Sequence, residues 1–107
     1  MPRSGKQQRF YWALLRAVLH QQEYYATVEA LHEVIKLRLG MVERIELHNG
    51  DIHLRVLSSS YDDMDGGDFN RHVDRTLDLV CTEIIPGLDA AGRRALTAEV
   101  ERMLGPL

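Results

Sequence analysis

Asn49-Gly50 stands between two short runs of alternating apolar and polar residues, with Ile45 and Leu47 before it and Ile52, Leu54 and Val56 after it. A period of two marks a strand that buries one face. Asn-Gly is the strongest short hairpin signal, because a two-residue type I′ turn needs positive φ at both central positions. Read with that turn, the register sets Leu47 opposite Ile52 and Ile45 opposite Leu54, which makes one face of the ribbon apolar. The other face then sets Glu46 against His53 and Arg44 against Arg55.

Helical periodicity surrounds this ribbon. Ser4 is placed to cap a first helix running to about Gln22, with Tyr11, Leu14, Leu15 and Val18 as its core stripe. At about 100° per residue, Lys6, Arg9, Arg16 and His20 gather on the opposite side, with Trp12 at the border. Thr27 is a plausible N-cap for a second helix carrying Val28, Leu31, Ile35 and Leu39, and Gly40 is placed to end it in the left-handed conformation. Ser58 to Asp68 is a polar loop. A third helix follows with Phe69, Val73, Leu77, Val80 and Ile84, stopped by Pro86-Gly87. Asp89 can cap a fourth helix with Leu96, Val100 and Leu104, closed by Gly105-Pro106. The pattern predicts a small α+β fold of about four helices around one antiparallel hairpin, in a single domain over residues 1–107. A core of this size is modest, and a dimer interface helps it.

The only cysteine is Cys81, so an internal disulfide is excluded and a reducing compartment fits best. No apolar run approaches the ~20 residues that span a bilayer, and the N-terminus lacks the apolar segment of a signal peptide. The expected location is the cytoplasm, with no membrane partner. The formal net charge of −3 argues against gross nucleic-acid affinity, but its distribution is uneven. Residues 1–22 carry Arg3, Lys6, Arg9 and Arg16 with no acid, a balance of +4. Such asymmetry points either to a local anion-facing surface or to an ordinary solvated helix face.

Catalytic and metal motifs fail on spacing. His32-Glu33 begins like H-E-x-x-H, but Lys36 stands at the second histidine position. His48 and His53 are separated by an odd number of residues across the turn, which directs them to opposite faces. Asp62, Asp63, Asp65 and Asp68 lack EF-hand spacing, and helix capping accounts for Asp65 and Asp68 at least as well. Cys81, beside an apolar stripe with nothing near it in sequence to lower its pKa, reads as a buried structural thiol. Ser58-Ser59-Ser60 has no elbow glycines. The chain reads as a non-enzyme, with no cofactor or metal expected. Anion binding is the strongest remaining reading. Arg44 opposite Arg55 is a destabilising pair unless something offsets it. Basic residues with Trp12 and Tyr11 on the first helix suit single-stranded nucleic acid, where bases stack on aromatics. The acidic stretch from Asp62 to Glu83, seven acids against Arg71 and Arg75, leaves open a protein-interaction surface instead.

The opening Arg3-Ser4-x-x-Gln7-x-Arg9-x-x-Trp12-Ala13 resembles a motif of the phage lambda NinB (Orf) recombination proteins. The second half is similar to phage proteins of the DUF1367 type, in Ser58-x-Ser60-Tyr61-x-x-Met64-x-x-x-Asp68-Phe69 and in a helix ending Ile84-Ile85-Pro86-Gly87. Lys6 and Gln8 stand where the NinB motif has an acid and an Asn. The resemblance spans roughly residues 3–104. It implies a phage or prophage origin and a recombination-mediator role in a bacterial host, binding single-stranded DNA as a homodimer and working with the host single-strand-binding protein. With that role, Arg3, Lys6, Arg9 and Arg16 are expected to neutralise phosphates, Trp12 to stack, and Arg44 and Arg55 to contribute from the hairpin.

Overall fold

A computed structural model of the chain describes residues 5–57 and 64–104. The elements run α1 (Gly5–Leu19), α2 (Val28–Arg38), β1 (Val42–Glu46), β2 (Ile52–Val56), α3 (Gly66–Leu79) and α4 (Ala90–Leu104), with a π-helical turn, Val80–Ile84, continuing α3. Four helices and one antiparallel hairpin make the α+β fold that the residue pattern predicts.

The core forms around α1. Tyr11, Leu14, Leu15 and Val18 are buried as their spacing requires, and Ala13 and Ala17 are buried with them. A helix apolar over most of its circumference has to be covered on several sides, and α1 packs against α2, α3 and α4. It ends at Leu19, short of the expected Gln22. Gln22 instead holds the turn that follows: its amide donates to the carbonyls of Leu19 (3.2 Å) and Tyr25 (2.8 Å), and its Oε1 accepts from the Tyr25 N–H at 2.7 Å. Ser4, the expected cap of α1, and Gly105-Pro106 lie outside the described residues.

The other helix ends follow capping chemistry. Thr27 caps α2, its Oγ1 accepting from the Ala30 N–H at 3.1 Å. Gly40, at φ 81°, releases the chain after it. Asp65 caps α3 by accepting from the Asp68 N–H at 2.8 Å, so the helix starts three residues before the expected Phe69. Phe69, Leu77 and Val80 are buried, and Val73 and Ile84 lie against the same core. Beyond Leu79 the helix widens, with the Ile85 N–H bonded to the Val80 carbonyl at 2.8 Å, and Pro86-Gly87 ends it. Cys81 lies in this wider turn and is only half-buried, which corrects the expectation of a buried thiol. Asp89 caps α4 through the Gly92 N–H at 2.8 Å.

The hairpin is present, but its register differs from the expected one by one residue. The pairs are Val42 with Val56, Glu43 with Arg55, Arg44 with Leu54, Ile45 with His53 and Glu46 with Ile52. Leu47 and Asp51 close a three-residue loop, His48-Asn49-Gly50, through a Leu47 N–H to Asp51 carbonyl bond at 2.8 Å and a Gly50 N–H to Leu47 carbonyl bond at 2.9 Å. Gly50, at φ 90°, supplies the turn's positive φ, and no residue other than glycine has one among the described residues. Asn49 therefore cannot be in a type I′ turn. Its Oδ1 accepts from the Asp51 N–H at 3.0 Å, an Asx turn that suits a type I turn completed by a left-handed glycine.

A one-residue slip moves side chains to the opposite face. Ile52, Leu54 and Val56 thus share a face with Val42, Arg44 and Glu46, and neither face is wholly apolar. Leu47, Ile52 and Leu54 stay 42%, 42% and 51% exposed, so the predicted oily face does not close the core. Arg44 sits opposite Leu54, while Arg55 sits opposite Glu43 and is ion-paired with it. The opposed-arginine site expected from the two-residue turn is therefore absent, and the two guanidinium groups lie on opposite sides of the ribbon.

Two outcomes test this account of the helix ends. Thr27→Ala lowers stability by about 1 kcal/mol in chemical denaturation, while Thr27→Asp, which keeps a capping oxygen, loses less. The Asp65 carboxylate is held below its ordinary value of 3.8, chiefly by the Asp68 N–H that it accepts. A lowered folded pKa gives stability that is present above the unfolded value and lost as pH falls through the folded one. Thermal melts of wild type and Asp65→Asn, which retains the cap without the titration, therefore differ by a constant amount above about pH 5 and converge only as the pH falls below 3.8 through the folded value.

Candidate nucleic-acid interface

The outward strip of α1 is narrow. Lys6, Arg9, Arg16 and His20 are all exposed, as their spacing predicts. Ala13 falls in angle between Lys6 and His20, yet it is fully buried. The small residues Ala13 and Ala17 thus let a neighbouring helix close over one edge of the basic side. What remains open is a row in which Arg9, Trp12 and Arg16 follow one another at steps of three and four residues, the spacing of surface neighbours on a helix.

Trp12 is half-buried at the edge of this row. Its ring meets Tyr11 edge-on at 5.4 Å and lies 4.7 Å from the His32 imidazole. Part of the indole is therefore committed to packing, and the rest lies open at a position one turn from each of the two arginines. The Arg9 guanidinium folds back towards the start of the helix, with its Nη1 3.3 Å from the position a side chain on Gly5 would take.

Ion pairing separates the cations of α1 from four arginines elsewhere. Arg38 is paired with Glu83, Arg55 with Glu43, Arg71 with Asp68 and Arg93 with Asp78. The bond to Asp78 is the main cause holding the Arg93 guanidinium above its ordinary pKa. Lys6, Arg9 and Arg16 have no carboxylate at ion-pair distance among the described residues, and α1 itself contains no acid. Their charge faces solvent uncompensated.

The same pairs account for much of the acidic stretch. Asp65 caps a helix, and Asp68, Asp78 and Glu83 each hold an arginine. Asp62 and Asp63 lie outside the described residues, as does Arg3. Among the described residues no group of three or more His, Cys, Asp and Glu side chains is arranged to hold a metal ion. His32, half of the failed metal motif, shares a 2.7 Å hydrogen bond between its Nδ1 and the Tyr11 hydroxyl.

One aromatic residue escapes the sequence reading. Tyr24 is 88% exposed in the turn after α1, packed edge-on against Tyr25 at a ring separation of 4.9 Å. Gln22 fixes the backbone of that turn, so Tyr24 is presented from an ordered loop. A Tyr-Tyr pair just beyond a basic helix is the available signal. Its meaning depended on which of the two rings the turn buries, and periodicity does not specify that.

Behind the N-terminal half of α1 lies a cleft of about 530 Å³ between α1, α3 and α4. Phe10, Val73, Leu77 and Leu104 form its apolar lining, and Lys6, Gln7, Asn70, Asp74 and Thr97 bring polar groups to it. Gln7 spans to α3, donating to the Gly66 carbonyl at 3.0 Å and to Asn70 Oδ1 at 2.9 Å. Lys6 thus belongs to the cleft as well as to the basic strip. Arg44 and Arg55, on the hairpin, line neither.

Among the described residues no helix is long and apolar enough to cross a membrane. Comparison with protein-family models, with curated proteins and with solved structures finds no match to this chain.

Proposed function

We propose that the chain is a non-enzymatic single-stranded DNA-binding protein of the recombination-associated kind, acting through the outer strip of α1. The observation that carries this reading is the set of uncompensated cations Lys6, Arg9 and Arg16 beside the partly open indole of Trp12, on a helix without acids. Arg9 and Arg16 are seven residues apart, about 10 Å along the helix, so they meet different phosphates of one strand. Trp12 between them, and Tyr24 beyond the helix end, offer faces on which bases stack irrespective of sequence. The described part of the NinB-like opening motif, Gln7 to Ala13, falls on this helix. It supports a phage or prophage origin and a partnership with the host single-strand-binding protein. Arg44 and Arg55 drop out of the proposed surface, since one lies on the far face of the ribbon from the other and Arg55 is bound by Glu43.

A second copy of the chain is the proposed partner for the hairpin. Two strands alone are marginal in water, and this ribbon leaves Leu47, Ile52 and Leu54 largely uncovered. Antiparallel pairing of β2 with its own copy, centred on His53, sets Ile52 against Leu54, which matches apolar to apolar.

Two measurements test these readings. Anisotropy titrations of a labelled oligothymidylate should give a log affinity that falls with log salt at a slope of about −2 for three phosphate contacts, reduced to about −0.7 in Arg9→Ala/Arg16→Ala. Tyr24→Ala should weaken binding about tenfold with the slope unchanged. Absence of binding at low salt, or an unaltered slope in the double variant, overturns the DNA reading. For the homodimer, sedimentation equilibrium should show a dimer that Leu54→Lys converts to a folded monomer. A monomeric wild type at high micromolar concentration refutes it.

A further inference from the structure

We infer that the cleft between α1, α3 and α4 receives one unstacked base of a bound strand, so that the protein holds nucleic acid by insertion as well as by phosphate contact. This rests on the single-strand reading for the strand, though the cleft can be tested with a nucleoside alone. Ligand pockets are mostly apolar with a few placed polar groups, and run from about 300 to 1,000 Å³. This one, at about 530 Å³, has that character, and it is nearly twice the volume of the clefts beside Met64 and beside Thr82, of about 280 and 290 Å³.

Its two charges carry the argument. Lys6 and Asp74 line the same cleft with opposite sign, yet they form no ion pair with each other or with any other described residue. Each is exposed. A ligand that brings an anion to one and a hydrogen-bond donor to the other matches both, although Asp74 also lies near enough to Arg93 to help hold its guanidinium charged. A nucleotide does so in one piece: its phosphate meets Lys6, on the side where Arg9 also lies, and an exocyclic amino group donates to Asp74. The ring lies against Phe10 and Val73, which supply the apolar contact that an unstacked base loses on leaving its neighbours. Asn70 already accepts from Gln7 at 2.9 Å, which orients its amide so that the N–H groups remain to donate. Adenine, cytosine and guanine carry the amino group that Asp74 accepts, whereas thymine offers only a ring N–H, so amino-bearing strands are favoured over oligothymidylate.

The test has two arms. In the first, deoxycytidine is titrated into the full chain and backbone amide resonances are followed. Asn70, Asp74 and Thr97 should move together in a saturable way, and they should stay still in Val73→Phe, which fills the cleft with a larger apolar side chain. Asp74→Ala, an exposed change that leaves the core intact, should weaken the nucleoside about tenfold if Val73→Phe proves unstable. In the second arm, oligodeoxycytidylate should bind wild type about tenfold more tightly than oligothymidylate. The preference should vanish in Asp74→Ala while the salt slope stays as in wild type. Deoxycytidine shifts that avoid these residues, or an Asp74→Ala protein that keeps the preference, overturn the inference while leaving the phosphate-binding strip standing. Saturable nucleoside shifts without any oligonucleotide binding support the cleft and overturn the single-strand reading.

Discussion

The hydroxyl of Tyr11 and Nδ1 of His32 share a 2.7 Å hydrogen bond, and the ring that bears that hydroxyl is fully buried. A buried phenol needs such a partner, because an unsatisfied polar group in the core costs about 1–3 kcal/mol. The bond therefore fixes how α2 lies on α1. The same ring packs edge-on against Phe69 at 5.8 Å and near His72 at 5.1 Å, which ties in α3. One side chain thus sets the rotation of α1 against two of its neighbours. That rotation decides which residues α1 can expose. Trp12, the next residue, rests on His32, and the arginines one turn before and after it are turned outward as a consequence.

Charge placement follows from that arrangement. Exposed ion pairs contribute little stability, typically under about 1 kcal/mol each, so pairing Arg38, Arg55, Arg71 and Arg93 does little to hold the fold. It does neutralise three acids of the acidic stretch locally, Asp68, Asp78 and Glu83. Three cations unpaired among the described residues share α1 with no acid on that helix, and at an ionic strength where the Debye length is about 8 Å such a local group matters more to a polyanion than the net charge of −3. An acidic protein can present a basic surface where a segment carries cations and no acid, as α1 does.

The helices were legible because capping and periodicity are local. Thr27, Asp65 and Asp89 cap through their own side chains, and Tyr11, Leu14, Leu15 and Val18 recur at the helical period, so both signals lie within a few residues. The hairpin was legible as an element and illegible in its register. Asn49-Gly50 suits a two-residue turn with both φ positive and equally a three-residue loop in which only Gly50 is left-handed. The side chain of Asn49 decides between them by bonding the Asp51 N–H, and a sequence does not display that choice. The cost of the error was large, because the opposed arginines depended wholly on the register. The basic strip of α1 needed no register and kept its exposed residues, although burial of Ala13 narrowed it. The cleft had no sequence signal, since its lining comes from three helices and no spacing rule relates Lys6 to Asp74 or Thr97.

One helix therefore serves three environments, and this limits how it can vary. Leu14 and Leu15 belong to the core, Arg9 and Arg16 to solvent, and Lys6 and Phe10 to the cleft. A helix repeats every 3.6 residues, so three environments leave each a face of only about a third of the circumference. Ala13 and Ala17 are the residues that make this possible. Both are fully buried, so a larger side chain at either position would have to displace its neighbours and strain the core. Their small size is set by the separation of the helices, and the geometry of the proposed binding surface depends on that separation.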